Sequence, residues 1–225
     1  MDNHEAEWHE KRREGIGGSD IAAIFGLSNW KSPWEIYRLK LGLDQPEASS
    51  AAAARGSALE PEVIRRFEEA CGINVGPGVD FLRHPAWPDI RIQANTDGTL
   101  LQEPEGIFEA KTTTERSSTA AAFEDRVIPT YYATQVQGYL AATGTSWGVI
   151  AALLGPSMTN TWDPDRCQLV ALRFERNDYA IQLIEEVSAQ FWRCVEDRTA
   201  PSWQRHPLSR DLVWALHQTP IERIA

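Results

Sequence analysis

The sequence predicts an α/β (α+β) chain built on a central mixed β-sheet flanked by helices. Three observations predict it. The N-terminal third carries capping signals and apolar residues at helical spacing. The middle holds short alternating segments around Asp97-Gly98, as strands of a hairpin do. The remainder runs helix, strands and a long amphipathic helix. Helices that flank a run of strands in this order are packed most simply as layers over one mixed sheet.

Gly15-Ile16-Gly17-Gly18-Ser19-Asp20 reads as a tight turn, and Ser19 or Asp20 is placed to cap a helix through Phe25. Ser32-Pro33-Trp34-Glu35 is a helix start with a capping box and proline at the first helical position. That helix runs to about Leu41 and stops at Gly42. The alanine-rich patch 48–54 reads either as a loop or as the run-in to a helix. Ser57 to Ala70 is helical by the recurrence of Leu59, Val63, Phe67 and Ala70, and Gly72 ends it. Pro61 falls early in that segment, where a missing donor is tolerated.

Ile90 to Ala94 alternates as a half-buried strand, Asp97-Gly98 makes a turn, and Thr99 and Leu100 begin the return. Gly106 to Lys111 reads as a further strand. Tyr131 to Ala142 is a helix closed by Gly144. Trp147 to Leu154 and Gln168 to Phe174 are strands. Asn177 caps a helix to about Glu196, with Ile184, Val187, Phe191 and Val195 on one face. Asp211 to Leu216 is a short helix.

The chain of 225 residues is long enough for one sizeable core, so residues 1–225 are read as a single domain. No apolar stretch reaches the length of a membrane span, and the polar start lacks the apolar segment of a secretory signal. Cys71, Cys167 and Cys194 are few, odd in number and far apart, which fits a reducing cytosol rather than a disulfide framework. His4, His9, His84, His206 and His217 show no ligand spacing, so no zinc site is expected. A net charge of −10 argues against a general nucleic-acid coat. It suits a protein that gathers carboxylates for a hard cation.

The chemistry concentrates at Asp97 and Glu109-Ala110-Lys111. Residues two apart on a strand share a face, so Glu109 and Lys111 project together, with Ile107 beside them. Asp97 at the end of a preceding hairpin strand would lie next to them. Two carboxylates, the Ala110 carbonyl and an ammonium are the groups that metal-assisted phosphodiester hydrolysis uses. Lys111 could hold or deprotonate the attacking water and pair with the phosphate. Glu60 arrives from a helix and could complete the site or hold a second ion. The alternative is a solvated strand face with a weak ion pair and an Asp-Gly turn kept for its conformation.

Five ordered blocks carry a family resemblance: Trp8-His9 through Arg12 to Asp20, Arg55 to Pro61, Ala94 to Gly98, Glu109-Ala110-Lys111, and Tyr131 to Leu140. Together they resemble the lambda-exonuclease family, also called YqaJ-like viral recombinases, within the PD-(D/E)xK nuclease superfamily. The resemblance implies a restriction-endonuclease-like core. It implies that Asp97 and Glu109 bind the metals, that Lys111 is catalytic, that Glu60 is the helical glutamate near the metals and that Gln135 contacts the site. Arg12 and Ser19 match an arginine and a serine that bind a 5′-terminal phosphate, with Arg13 adjacent as the competing choice. The cofactor implied is Mg2+, with Mn2+ as an alternative and two ions in the site. The function implied is a 5′-to-3′ exonuclease on linear duplex DNA, working as a homotrimeric ring with a single-strand annealing protein, and the location expected is the cytoplasm, for a bacterial or phage-encoded protein. The superfamily expects proline before the first aspartate, and Thr96 stands there instead.

Other residues keep two readings. The Lys11-Arg12-Arg13 run is either a solvated patch or the source of a bidentate phosphate ligand. Ser19 either caps a helix or joins backbone N–H groups after Gly18 in an anion site. Gln135 and Gln137 face differently on one helix, so at most one reaches the centre. Tyr131 and Tyr132 either stack on nucleotides or anchor the helix. Trp30 and Trp34 read as core or subunit interface. Two competing functions remain open: an endonuclease on the same fold, and a silent DNA-binding protein. The retention of Glu60, Asp97, Glu109 and Lys111 argues against the silent protein.

Overall fold

The computed structural model describes residues 3–45, 50–84, 91–156 and 163–225. The polar N-terminal segment forms α1 (Asn3–Arg13), a helix with no apolar stripe beyond Trp8. The chain then passes through β1 (Ile16–Gly17) into α2 (Gly18–Ile24). The N-cap of α2 is Gly17, so neither Ser19 nor Asp20 occupies the capping position. Asp20 instead reaches back from the first turn, and its Oδ2 accepts the Gly17 N–H at 3.1 Å. Helix α3 (Pro33–Lys40) has the expected box: Ser32 Oγ accepts from Glu35 N, and Glu35 Oε2 accepts from Ser32 N.

Helix α4 (Ala51–Cys71) starts six residues earlier than the periodicity predicts, because Ser50 caps it through the Ala53 N–H. The alanine-rich residues 51–54 are therefore helix, while 48 and 49 lie outside the described residues. Pro61 stands in mid-helix, where it leaves the Ser57 carbonyl without its helical donor. Gly72, at φ 67°, ends the helix in the left-handed conformation that glycine adopts without strain.

The central hairpin differs from the expected one. β3 (Ile92–Gln93) leaves the main sheet and pairs in parallel with β1. Ile90, expected in the same strand, lies outside the described residues. The strand that meets β5 (Gly106–Thr114) is β4 (Gly98–Leu100), and the connection is 101–105, not Asp97-Gly98. Gly98 serves packing rather than a turn. A Cβ there would lie 2.3 Å from Val75 Cγ1 in β2 (Val75–Gly76) and 3.4 Å from Phe108 Cβ.

The main sheet has six strands among the described residues, in the order β2, β4, β5, β6 (Trp147–Gly155), β7 (Gln168–Glu175) and β8 (Ile221–Arg223). Only β5 and β6 run parallel, which makes the sheet mixed. Helices α5 (Ser118–Glu124) and α6 (Thr130–Thr143) supply the crossover that a parallel pair requires. Helices α7 (Asp178–Glu196) and α8 (Ser209–His217) complete the chain order.

The two sheet faces bury separate cores. Ile107, Ile150, Ala152, Leu172 and Phe174 pack with α2, α6, α7 and α8. Phe108, Val149, Ala151 and Leu153 pack with Val63 and Phe67 of α4, with the Phe67 and Phe108 rings 4.9 Å apart. Glu109 shares the Ile107 face and so points toward α6. That face closes tightly. A Cβ on Gly18 would lie 2.5 Å from the Tyr139 ring, and one on Gly138 would lie 2.2 Å from Ile21 Cδ1. The two glycines let α2 and α6 approach.

The segment before β4 is clamped by the run from Gly78 to Leu82. Thr96 Oγ1 accepts from Val79 N at 3.1 Å, Thr96 N donates to Val79 O at 3.0 Å, and Asn95 Oδ1 accepts from Phe81 N at 2.5 Å. The hydroxyl and N–H of Thr96 thus do work that a proline could not. A Cβ on Gly78 would fall 1.8 Å from the Thr96 carbonyl oxygen, which is backbone and cannot swing aside. Gly78→Ala is expected to cost about 1–3 kcal/mol of stability through this overpacking. A urea titration of the variant against the parent checks it, and an unchanged midpoint would refute the clamp.

Candidate active site

The pairing of β4 with β5 stops at Gly98 and Phe108. Beyond that point Asp97 takes over the ladder position. Its Oδ2 accepts the Ala110 N–H at 2.7 Å. A strand residue's N–H and C=O leave on the same edge, so the Ala110 carbonyl faces the Asp97 side as well. On the adjoining face, Glu109 is 2 % exposed and its Oε1 accepts from Lys111 Nζ and, at 2.8 Å, from Gln135 Nε2. Gln135 Nε2 also contacts the Tyr139 hydroxyl at 2.9 Å. Glu60, half-buried on α4, enters from the opposite face and interacts electrostatically with Asp97 and Lys111. Its helix crosses β5 where Gly56 meets Thr112, since a Cβ there would sit 3.7 Å from the Thr112 hydroxyl.

Three carboxylates therefore face one ammonium. Burial pushes the Glu109 carboxyl up to about 8, against the opposing pull of Lys111 and with added repulsion from Asp97 and Glu60. Burial raises Asp97 too, although Lys111 and the Ala110 N–H counter it. Glu60 is raised by burial and by Asp97. Lys111 loses solvation on burial, yet Glu109, Asp97 and the Tyr132 side chain outweigh this and raise it. Its Nζ also lies 4.9 Å over the Tyr132 ring, a cation–π contact.

Among the described residues no group of three His, Cys, Asp or Glu side chains closes to a metal-binding arrangement. Asp97 Oδ2 is held by Ala110, and Glu109 Oε1 by Lys111 and Gln135. Glu109 Oε2 is buried with no hydrogen-bond partner. A buried carboxylate oxygen without a partner costs free energy unless it meets a proton or a cation. Hard oxygen donors and surplus negative charge suit a divalent cation of the magnesium class. Asp97, Glu109, Glu60 and the Ala110 carbonyl are the groups that would hold it.

The second predicted cluster also assembles. Arg12 Nη2 donates to Ser19 Oγ at 2.8 Å and lies 3.4 Å from Asp20 Oδ1. Arg13 instead faces Glu10 at 3.8 Å. Trp8 packs under the Arg12 guanidinium at 5.1 Å. Arg12 and Ser19 line a cavity of about 170 Å³ together with Ser28, Trp30 and Lys31.

Sequence reasoning missed the support of this pocket. The Lys40 side chain is 5 % exposed, and its Nζ donates to Asp20 Oδ2 at 2.7 Å and to the Arg12 carbonyl at 2.8 Å. Burial raises Asp20, but Lys40 and Arg12 more than offset this and hold its carboxyl at about 2. The signal was present: Lys40 follows Ile36 by four residues, on the buried stripe of α3. Tyr139 was missed as well, though it stands four residues after Gln135 on α6. Gln137 turns the other way, donating to Glu175 O and accepting from Asn177 N. Tyr132 lies beneath Lys111, while Tyr131 stacks edge-on against Trp30. Trp30 and Trp34 are 66 % and 51 % exposed, so neither belongs to the core of this chain.

Solved structures share this fold. An alkaline exonuclease from Laribacter hongkongensis, crystallised in complex with dAMP, superimposes with a TM-score of 0.66 at 24 % identity, covering 86 % of this chain and 93 % of that one. A phage-related exonuclease from Haemophilus somnus gives 0.61 at 13 % identity, covering 82 % and 94 %. The chain thus shares its fold with these two proteins.

Residues 7–146 match the YqaJ-like viral recombinase domain, and the chain belongs to that family. The uncharacterized protein YqaJ of Bacillus subtilis is 36 % identical over 189 residues, which is 83 % of this chain and 54 % of that protein. The chain spans about half the length of this curated relative.

The charge balance at Glu109 has a consequence for stability without metal. A carboxyl raised in the folded state contributes fully below its unfolded value, and that contribution is lost as pH rises through the folded value. Metal-free protein is therefore expected to lose on the order of 3 kcal/mol between pH 5 and 9. The Asp20 pair does not interfere, because a depressed carboxyl loses its contribution only near pH 2 to 4. Denaturant titrations in chelator across that range check the slope. A flat profile would show that burial does not raise the Glu109 carboxyl.

Proposed function

We propose that this chain is a divalent-metal-dependent deoxyribonuclease, and specifically a 5′-to-3′ exonuclease on linear double-stranded DNA. One observation supports it above the others: Glu109 is buried with an oxygen lacking any partner, beside Asp97, Glu60 and Lys111. No purely structural salt bridge needs that surplus of acid. The YqaJ-like match supports a role in recombination, with 3′ single-stranded tails passed to an annealing protein.

When bound, Mg2+ (or Mn2+, as two ions) would lower the pKa of a water and neutralise charge on the scissile phosphate. The residues do the rest. Gln135, braced by Tyr139, orients the Glu109 carboxylate. The Ala110 N–H holds Asp97. Lys111 presents an ammonium to the attacking water and the phosphate, and Tyr132 supports it from below. Arg12 and Ser19 are aimed into one cavity, where a terminal 5′ phosphate would receive a charge-assisted hydrogen bond from the guanidinium. Lys40 and Asp20 hold Arg12 in place. The same reading takes residues 1–225 as one nuclease domain, acting as a homotrimeric ring in the bacterial cytoplasm.

Two experiments bear on it. With magnesium, linear duplex carrying a 5′ phosphate is expected to shorten from its 5′ end while closed circular DNA in the same tube survives. Lys111→Ala and Asp97→Asn are each expected to slow this by about 100-fold or more. Cutting of the circle would favour an endonuclease, and full activity in both variants would move the site elsewhere. Separately, Arg12→Ala is expected to slow 5′-phosphorylated substrate about tenfold or more while leaving 5′-hydroxyl substrate near its parent rate. Equal loss on both substrates would remove the terminal-phosphate role.

A further inference from the structure

Trp30 is the most exposed large apolar side chain among the described residues, at 66 %. It is also held firmly. Ser28 Oγ accepts from the N–H groups of Trp30 and Lys31 at 3.1 and 3.3 Å, and the capping box of α3 begins at Ser32. Its indole meets the Tyr131 ring at 4.9 Å and 88°. Tyr131 in turn meets Tyr132 at 4.3 Å, and its hydroxyl is tied to Thr119 Oγ1 at 2.8 Å. Tyr132 carries the Lys111 ammonium. At its other side Trp30 shares a cavity with Arg12, Ser19 and Lys31. A continuous row of aromatic rings therefore joins the arginine pocket to the carboxylate centre.

An exposed tryptophan has two ordinary uses. The centre of a subunit interface is depleted of charge and buries its aromatics among apolar neighbours. Trp30 is bordered by charged groups instead, with Arg12, Lys31 and the Asp20 carboxylate, itself paired with Arg12 and Lys40, on one side and Lys111 beyond the tyrosines on the other. An exposed ring beside cations suits a base and the phosphate next to it on a single strand. Its fixed backbone and edge-on tyrosine also leave little freedom to lose on stacking.

Resting on the nuclease reading, we propose that Trp30, backed by Tyr131, is a stacking subsite for an unpaired nucleobase of the strand whose 5′ phosphate lies at Arg12 and Ser19. The ligand class is a short single-stranded DNA end. Stacking is indifferent to base identity, since every base has a π-face.

The test measures affinity in chelator, so that no strand is cut. The probes are duplexes with a phosphorylated 5′ overhang, one with normal bases and one with abasic sites throughout the overhang. Trp30→Ala is expected to weaken binding of the normal overhang by about tenfold and that of the abasic overhang by less than about twofold, with Trp30→Phe close to the parent. Equal losses on both probes, or none on either, overturn the subsite while leaving the nuclease reading to be judged by magnesium-dependent degradation of linear duplex by the parent. A parent chain that degrades no DNA and binds neither probe sinks both. Light scattering supplies the last arm: a smaller assembly in Trp30→Ala would make Trp30 a subunit contact and overturn the proposal.

Discussion

Glu109 is a carboxylate enclosed between the central sheet and a helix, and its surroundings answer that charge group by group. Burying an unpaired carboxylate is among the most expensive substitutions a core can carry. Here Lys111 and Gln135 satisfy one oxygen and the second is left without a partner. Asp97 and Glu60 raise the negative charge further rather than relieve it. Only part of this is repaid within the chain. Under the proposed function, a cation and a phosphate would complement the acids and the lysine.

That constraint reaches into the fold. Glu109 faces α6 only because the strand alternates, and α6 sits over it only because α2 packs close behind. Gly18 and Gly138 permit that approach, since side chains at either position would strike the opposite helix. The same contact carries the Arg12 and Ser19 pocket to the neighbourhood of Gln135. Two chemically distinct sites are thus held at a fixed separation by packing between two helices. The buried Asp20–Lys40 pair stiffens the outer pocket in the same manner, tying α1, α2 and α3 together through Arg12.

Much of this was legible in the chain. The capping box of Ser32 and Glu35, the stop at Gly72 and the long helix after Asn177 follow from local rules, and the structure has them. The face shared by Glu109 and Lys111 follows from strand periodicity alone. The hairpin was misjudged, because Asp-Gly is a strong local turn signal and the reason for Gly98 is a neighbour distant in sequence, Val75. Lys40 and Tyr139 escaped notice for a related reason. Their spacing marks a buried helix face, but spacing cannot say which partner waits there.

The sequence by itself determined which residues carry charge, which strand face they share and where most helices begin and end. These depend on backbone geometry and on neighbours within a turn or two. Tertiary structure alone decided that Arg12 rather than Arg13 meets Ser19, that Asp97 takes over the ladder at Ala110, and that Trp30 lines the Arg12 cavity while meeting Tyr131. Each of those outcomes is set by packing between elements far apart in the chain. Such contacts obey volume and charge complementarity across the whole core, and no local pattern encodes them.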